Sequence, residues 1–143
     1  MEFDHCINYL LTVAQHEVFQ NFSSRLAPYN ITPGQYGVMN CIWQSEGGTV
    51  TPKEIARTLR LETPTVSGVL DRMQKQGLID RVLDPNDRRS IQVQATPAGM
   101  AIKDDVLQVI EELNVEVLKP LTASEKETLL ACLRKVGHTG EDG

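Results

Sequence analysis

The sequence is short of the features that mark several whole classes of protein. Its three cysteines, Cys6, Cys41 and Cys132, are odd in number, widely spaced and without a C-x-x-C pair. They make a poor disulfide framework and point to a reducing compartment. Glycine and proline number 10 and 7, too few for a fibrous or low-complexity chain. No apolar run approaches the roughly 18 residues of a membrane span. No secretory leader is visible, because the opening residues lack a basic patch and carry Glu2, Asp4, His5 and Glu17. Positive charge is not in excess either. The net charge is −5, which excludes a uniformly basic nucleic-acid coat but not a local basic patch. Catalytic signatures are missing: there is no H-E-x-x-H, no G-x-S-x-G, no phosphate loop and no paired-carboxylate motif. Gly47-Gly48 ahead of Thr49-Val50 is too little for a nucleotide cradle. His5, His16 and His138 show no ligand spacing, so no metal and no cofactor is expected. What remains is a soluble cytoplasmic protein that is not an enzyme. Its 143 residues, 41% hydrophobic and 23% charged, suit one domain with its own core.

What the chain has is threonine punctuation. Thr32-Pro33, Thr51-Pro52, Thr63-Pro64 and Thr96-Pro97 each read as a helix start, with the hydroxyl at the N-cap and proline at the first helical position. Thr32…Gln35, Thr51…Glu54 and Thr122…Glu125 have capping-box spacing. Six helices follow. Helix one, about Phe3 to Ala27, carries Phe3, Ile7, Leu10, Leu11, Ala14, Val18, Phe22 and Leu26 as an apolar stripe. Helix two runs from about Gly34 to Gln44, helix three from Pro52 to Leu59, and helix four from Pro64 to Gln76, burying Val66, Val69, Leu70 and Met73. Helix five covers about Pro97 to Lys119 and helix six about Ala123 to Val136, and the tail after Gly137 is expected to fray. Cys41 and Cys132 fall on apolar faces and read as core. Between helices four and five the period changes to two. Leu78–Leu83 and Ser90–Ala95 read as strands, the second with Ile91, Val93 and Ala95 inward, joined by a polar tip into a hairpin.

A short helix, a brief turn and a second helix make a helix-turn-helix, whose second member enters the major groove of DNA. Helices three and four, joined by Arg60-Leu61-Glu62-Thr63, have that order, and the hairpin behind them makes a winged variant. Charge agrees with the placement. From Lys53 to Arg89 eight bases face six acids, a net of +2, while the rest of the chain carries −7. An acidic protein polarised in this way can still neutralise phosphates.

Four stretches carry a resemblance: Thr65-Val66-Ser67 with Leu70-Asp71-Arg72-Met73; Leu78-Ile79-Asp80-Arg81 after Gly77; Asp84-Pro85-Asn86-Asp87-Arg88-Arg89-Ser90; and Ala95-Thr96-Pro97-Ala98-Gly99. With them the chain resembles the MarR family of winged helix-turn-helix transcription regulators over nearly its whole length. Ala95 and Met73 depart from the family's usual leucines. The resemblance implies a homodimer on a pseudo-palindromic operator, most often a repressor released by a small ligand or an oxidant. The expected architecture is mainly α with a small β-hairpin wing. It would be one domain over 1–143, with a DNA-binding lobe at about 32–95 and dimerisation helices at about 1–30 and 97–137. Helix one would expose a large apolar stripe in a monomer, which a partner would bury. An intramolecular bundle of helices one, five and six is the other arrangement the pattern allows.

With Val66, Leu70 and Met73 inward, Thr63, Thr65, Ser67 and Gly68 face outward near the start of helix four, small enough to let it sit deep against base edges. Thr63 also caps the helix in this reading. Arg60, Arg72 and Lys75 are candidates for phosphates, Arg72 alternatively for an ion pair with a wing aspartate. At the tip, Arg88 and Arg89 can reach a minor groove. The family pattern places the insertion on Arg89, with Asp87 orienting one of the two arginines. The other reading is an Asp–Arg turn staple without DNA contact. Effectors in the family lodge between the dimer helices and the DNA lobe, which makes Tyr9, His16, Phe19, Tyr36, Met39 and Trp43 candidate liners or ordinary core. Some family members sense organic peroxides through a cysteine near the start of helix one. Cys6 lies in that neighbourhood, beside His5 and Asp4, and is either a sensor or a passive thiol. A winged-helix interaction module without DNA binding is the further alternative.

Overall fold

Threonine and proline set most helix starts. The computed structural model describes residues 2–139. Helix α1 spans Ile7–Leu26, between 3-10 turns at Phe3–His5 and Ala27–Tyr29, where a continuous helix from Phe3 is expected. In α2 (Pro33–Gln44) the Thr32 hydroxyl accepts the Gln35 N–H at 3.1 Å, and the Gln35 side chain accepts the Thr32 N–H at 3.2 Å. The reciprocal pair recurs at α3 (Pro52–Leu59) with Thr51 and Glu54. All three sequence-predicted capping boxes form, the third at Thr122 and Glu125.

Thr63 departs from the pattern. Helix α4 spans Thr63–Lys75, its N-cap is Glu62, and the Val66 N–H donates to the Glu62 carbonyl at 3.1 Å. Thr63 is therefore inside the helix and caps nothing, because the chain turns helical one residue before Pro64. The expected helix five is two helices, α5 (Pro97–Ala101) and α6 (Lys103–Val117), parted at Ile102. On one unbroken helix Met100 would stand about 120° from Val106. Met100 is 49% exposed while Val106 is fully buried, so one continuous apolar stripe does not exist.

Three strands form an antiparallel sheet in the order β1-β3-β2. Strand β1 is Thr49–Val50, which the sequence pattern missed; β2 is Ile79–Asp84 and β3 is Asp87–Ala95. Val50 and Arg81 both pair with Val93, from opposite sides of β3. Val93 is buried, but Ile91, expected inward, is 45% exposed, because the hairpin there has run past the core.

The chain divides into two units, Met1–Val109 and Ile110–Gly143. The first is built on Leu26, Met39, Ile42, Ile55, Val66, Leu70, Met73, Ile79 and Val93, each at most 1% exposed. Full burial of such side chains contributes about 1.5–3 kcal/mol apiece before the entropy of ordering is subtracted. Val69, expected inward with them, is only half-buried. In the second unit α7 (Ala123–Gly137) buries no residue. Cys132, expected in a core, is exposed on it, and Cys41 in α2 is half-buried. No described helix is long and apolar enough to cross a membrane. The end of the tail expected to fray, residues 140–143, lies outside the described residues.

Candidate nucleic-acid interface

The candidate interface begins at the turn between α3 and α4. Arg60 closes α3 in the left-handed conformation (φ 56°, ψ 45°), and the Leu61 N–H donates to the Ala56 carbonyl at 3.0 Å. Helix α4 then buries Val66, Leu70 and Met73. Thr63, Thr65, Ser67, Arg72 and Lys75 are exposed and Gly68 is half-exposed, as the helical phase predicts. The far end of α4 is held as firmly. Gly77 (φ 78°) ends the helix, with the Leu78 N–H donating to the Met73 carbonyl at 3.1 Å. The buried Gln35 amide donates to Gln76 Oε1 at 3.0 Å, and Gln76 donates to the Asn30 carbonyl at 2.9 Å. An amide chain thus ties the end of α4 to the start of α2.

The wing is fastened to α4 by a residue that sequence reasoning left unassigned. Arg81 in β2 places Nη2 at 2.6 Å from Asp71 Oδ1 and donates from Nε to Gln74 Oε1 at 2.7 Å. The ion pair weighed for Arg72 does not form. Its polarity is reversed, with the arginine on the wing and the aspartate on the helix, and Arg72 makes no ion pair among the described residues. The only sequence signal for Arg81 was its place in the Leu78–Arg81 motif.

At the wing tip, Asp84 Oδ1 accepts the Asn86 N–H at 2.9 Å and Asp87 Oδ1 accepts the Arg89 N–H at 3.0 Å. Asp87 therefore shapes the backbone under the arginines instead of orienting a guanidinium. Arg88 and Arg89 are exposed, four to five residues beyond the last buried position of β3. The arrangement offers a hydroxyl-edged helix face and, fixed beside it, a cationic fingertip.

A MarR family model matches residues 31–91. The Multiple antibiotic resistance protein MarR of Salmonella typhimurium is 33% identical over 129 residues, 90% of this chain and 86% of that protein. The chain belongs to the MarR family. Members of the family are transcription regulators, not enzymes. Solved structures agree on the winged helix-turn-helix fold. A probable transcriptional regulator from Pseudomonas aeruginosa superposes with a TM-score of 0.86 at 29% identity, over 94% of this chain and 99% of that one. A mutant MarR from E. coli complexed with operator DNA superposes with a TM-score of 0.85 at 29% identity, over 95% and 98%.

Within this MarR fold the candidate effector residues do not converge. Met39 is fully buried and Trp43 nearly so, both as core of the first unit, and the Trp43 indole N–H has no partner among the described residues. Tyr36 is half-buried, and that burial raises its phenol above the ordinary value. Tyr9 is exposed and stacks on Phe3 with ring centroids 5.1 Å apart. His16 and Phe19 border an open recess on α1 with Leu11, Thr12 and Gln15. Cys6 stands half-buried at the N-cap of α1, without a side-chain cap. The neighbouring His5 imidazole engages Asp4 instead, Nδ1 to Oδ1 at 3.0 Å. Desolvation pushes the Cys41 thiol up from its ordinary value, which disfavours the reactive thiolate. Glu2, Asp4 and His5 bring ligand atoms within 4.8 Å of one another, a grouping the histidine spacing did not show, but all three are solvated.

Proposed function

We propose that this MarR-family regulator is a homodimeric repressor that binds a pseudo-palindromic operator and is released by a small ligand. Residues 32–95 form the reading lobe, and 1–30 with 97–137 form the dimerisation region. Helix α4 lies in the major groove with Thr63, Thr65, Ser67 and Gly68 toward base edges. Arg60, Arg72 and Lys75 meet phosphates, and the wing carries Arg88 and Arg89 into the adjacent minor groove. The observation that carries this reading is the Arg81 clasp. It fixes a basic fingertip beside an exposed helix face lined with short hydroxyls. The acidic remainder of the chain keeps the duplex on that side.

Dimerisation is supported by apolar surface that water would otherwise cover. Phe3 is 72% exposed and Ile7 64%, and in the second unit Val136 is 60% exposed. A twofold pair would set two recognition helices about 34–36 Å apart, one DNA turn. The ligand reading is supported by the open apolar recess along α1, where His16 and Phe19 lie.

Selection from a random duplex pool, followed by fluorescence anisotropy against salt, tests the proposal. One preferred, twofold-symmetric site is expected. Arg89→Ala should weaken binding to it and reduce the log–log salt slope by about one. Binding without sequence preference at modest salt would favour a protein-interaction module. A monomer by sedimentation at micromolar concentration would remove the homodimer.

A further inference from the structure

We propose that the glycine at position 68 serves the DNA and not the protein: its bare Cα leaves a notch on α4 that receives the methyl group of a thymine. The proposal rests on α4 lying in the major groove.

Two structural reasons for a glycine are absent here, and one reason against it is present. Its φ is not among the positive ones, so the backbone does not require it. A Cβ added to it meets nothing within 4 Å, so no neighbour requires it. It sits in the interior of the unbroken helix Thr63–Lys75, where glycine lowers helix stability relative to alanine. Gly99 shows the contrast. A Cβ there would collide with the Leu78 carbonyl oxygen and come within 3.0 Å of Met39 Cε, so the fold itself excludes a side chain.

Position says what fills the space at Gly68. At about 100° per residue, it stands about 160° from both Val66 and Leu70, at the pole opposite the core. Pro64, Arg72 and Lys75 share its line, four residues before and four and seven after. Thr65 and Ser67 flank it at about 60° and 100°. The outermost line of α4 is therefore a bare Cα with two exposed cations beyond it, Thr65 on one side, and on the other Asp71 at about 60°, already engaged by Arg81, with Ser67 behind it. Cations along that line suit the phosphates of a duplex, and hydroxyls beside it suit base edges. The major-groove feature that makes apolar contact and needs no donor or acceptor is the thymine methyl.

The test uses the full-length chain and the duplex selected by the wild type. Gly68→Ala should unfold about 3 °C higher, as an added alanine in a helix interior does. The same variant should bind the selected duplex at least tenfold more weakly. Replacing a single thymine by deoxyuridine should restore most of that affinity, one methyl removed for one added. Unchanged or tighter binding by Gly68→Ala overturns the proposal. So does a lower melting temperature, which would make the glycine a requirement of the fold. If no single deoxyuridine restores binding, the thymine assignment is overturned. A wild type that binds no duplex is a separate result, and it removes the proposed function itself.

Discussion

The winged lobe and the terminal helices solve the burial problem differently. In the lobe, α2, α3, α4 and the sheet close on one another until Met39, Ile55, Met73 and Val93 reach zero exposure. Along α1 the one buried residue is Leu26, and along α7 none is buried, although both helices carry apolar residues at helical spacing. The lobe is complete in a single chain, and α1 and α7 present faces that one copy leaves to water. A helical stripe therefore states that a face is apolar without stating which molecule covers it.

Substitutions in the two regions should separate accordingly. Leu70→Ala should cost about 2–5 kcal/mol, the range for a large-to-small change in a closed core. That loss should be the same at every protein concentration in calorimetry. Leu10→Ala and Leu130→Ala, on exposed faces, should instead lower the melting temperature by more as the protein is diluted, because they weaken the proposed dimer. A loss relative to wild type that is independent of concentration in all three would break the comparison. Gly99→Ala should follow Leu70→Ala, with about 1–3 kcal/mol lost to overpacking against Leu78, read by denaturant unfolding. Ser67→Ala or Thr65→Ala should leave unfolding unchanged and cost about 1–3 kcal/mol at one operator base pair. Equal weakening on every sequence would reduce those residues to backbone contacts. Arg81→Ala should cost little stability, below about 1 kcal/mol, because the pair is partly solvated. Its operator affinity should nevertheless fall, since the wing loses its fixed station. An unchanged Kd would free the wing from that contact.

Local chemistry was legible in the sequence, and long-range chemistry was not. The capping boxes at Thr32, Thr51 and Thr122 are complete within four residues, so the pattern alone names both partners. Strand β1 is two residues long and exists only by pairing with Gln94 and Val93, more than forty positions away. The Asp71–Arg81 clasp and the Gln35–Gln76–Asn30 chain likewise join residues on separate elements. Thr63 misled because Thr-Pro marks a helix start without saying whether the threonine lies before it or in it. The outward face of α4 was readable from phase, but its pole is Gly68, and the hydroxyls of Thr65 and Ser67 drew attention to the flanks. Met39 and Trp43 could not be told from ligand-lining residues, because a pocket and a core use the same apolar side chains.

Arg81 grips α4 at Asp71 and Gln74, three residues apart on neighbouring turns. A single contact would be a pivot, and two contacts forbid rotation about either one. Helix and hairpin are in this way held as one unit, with the proposed probes at a set separation before any duplex arrives. In the proposed complex less conformational freedom would then be lost on docking, and a site whose groove spacing deviates would be refused by geometry before any base is read.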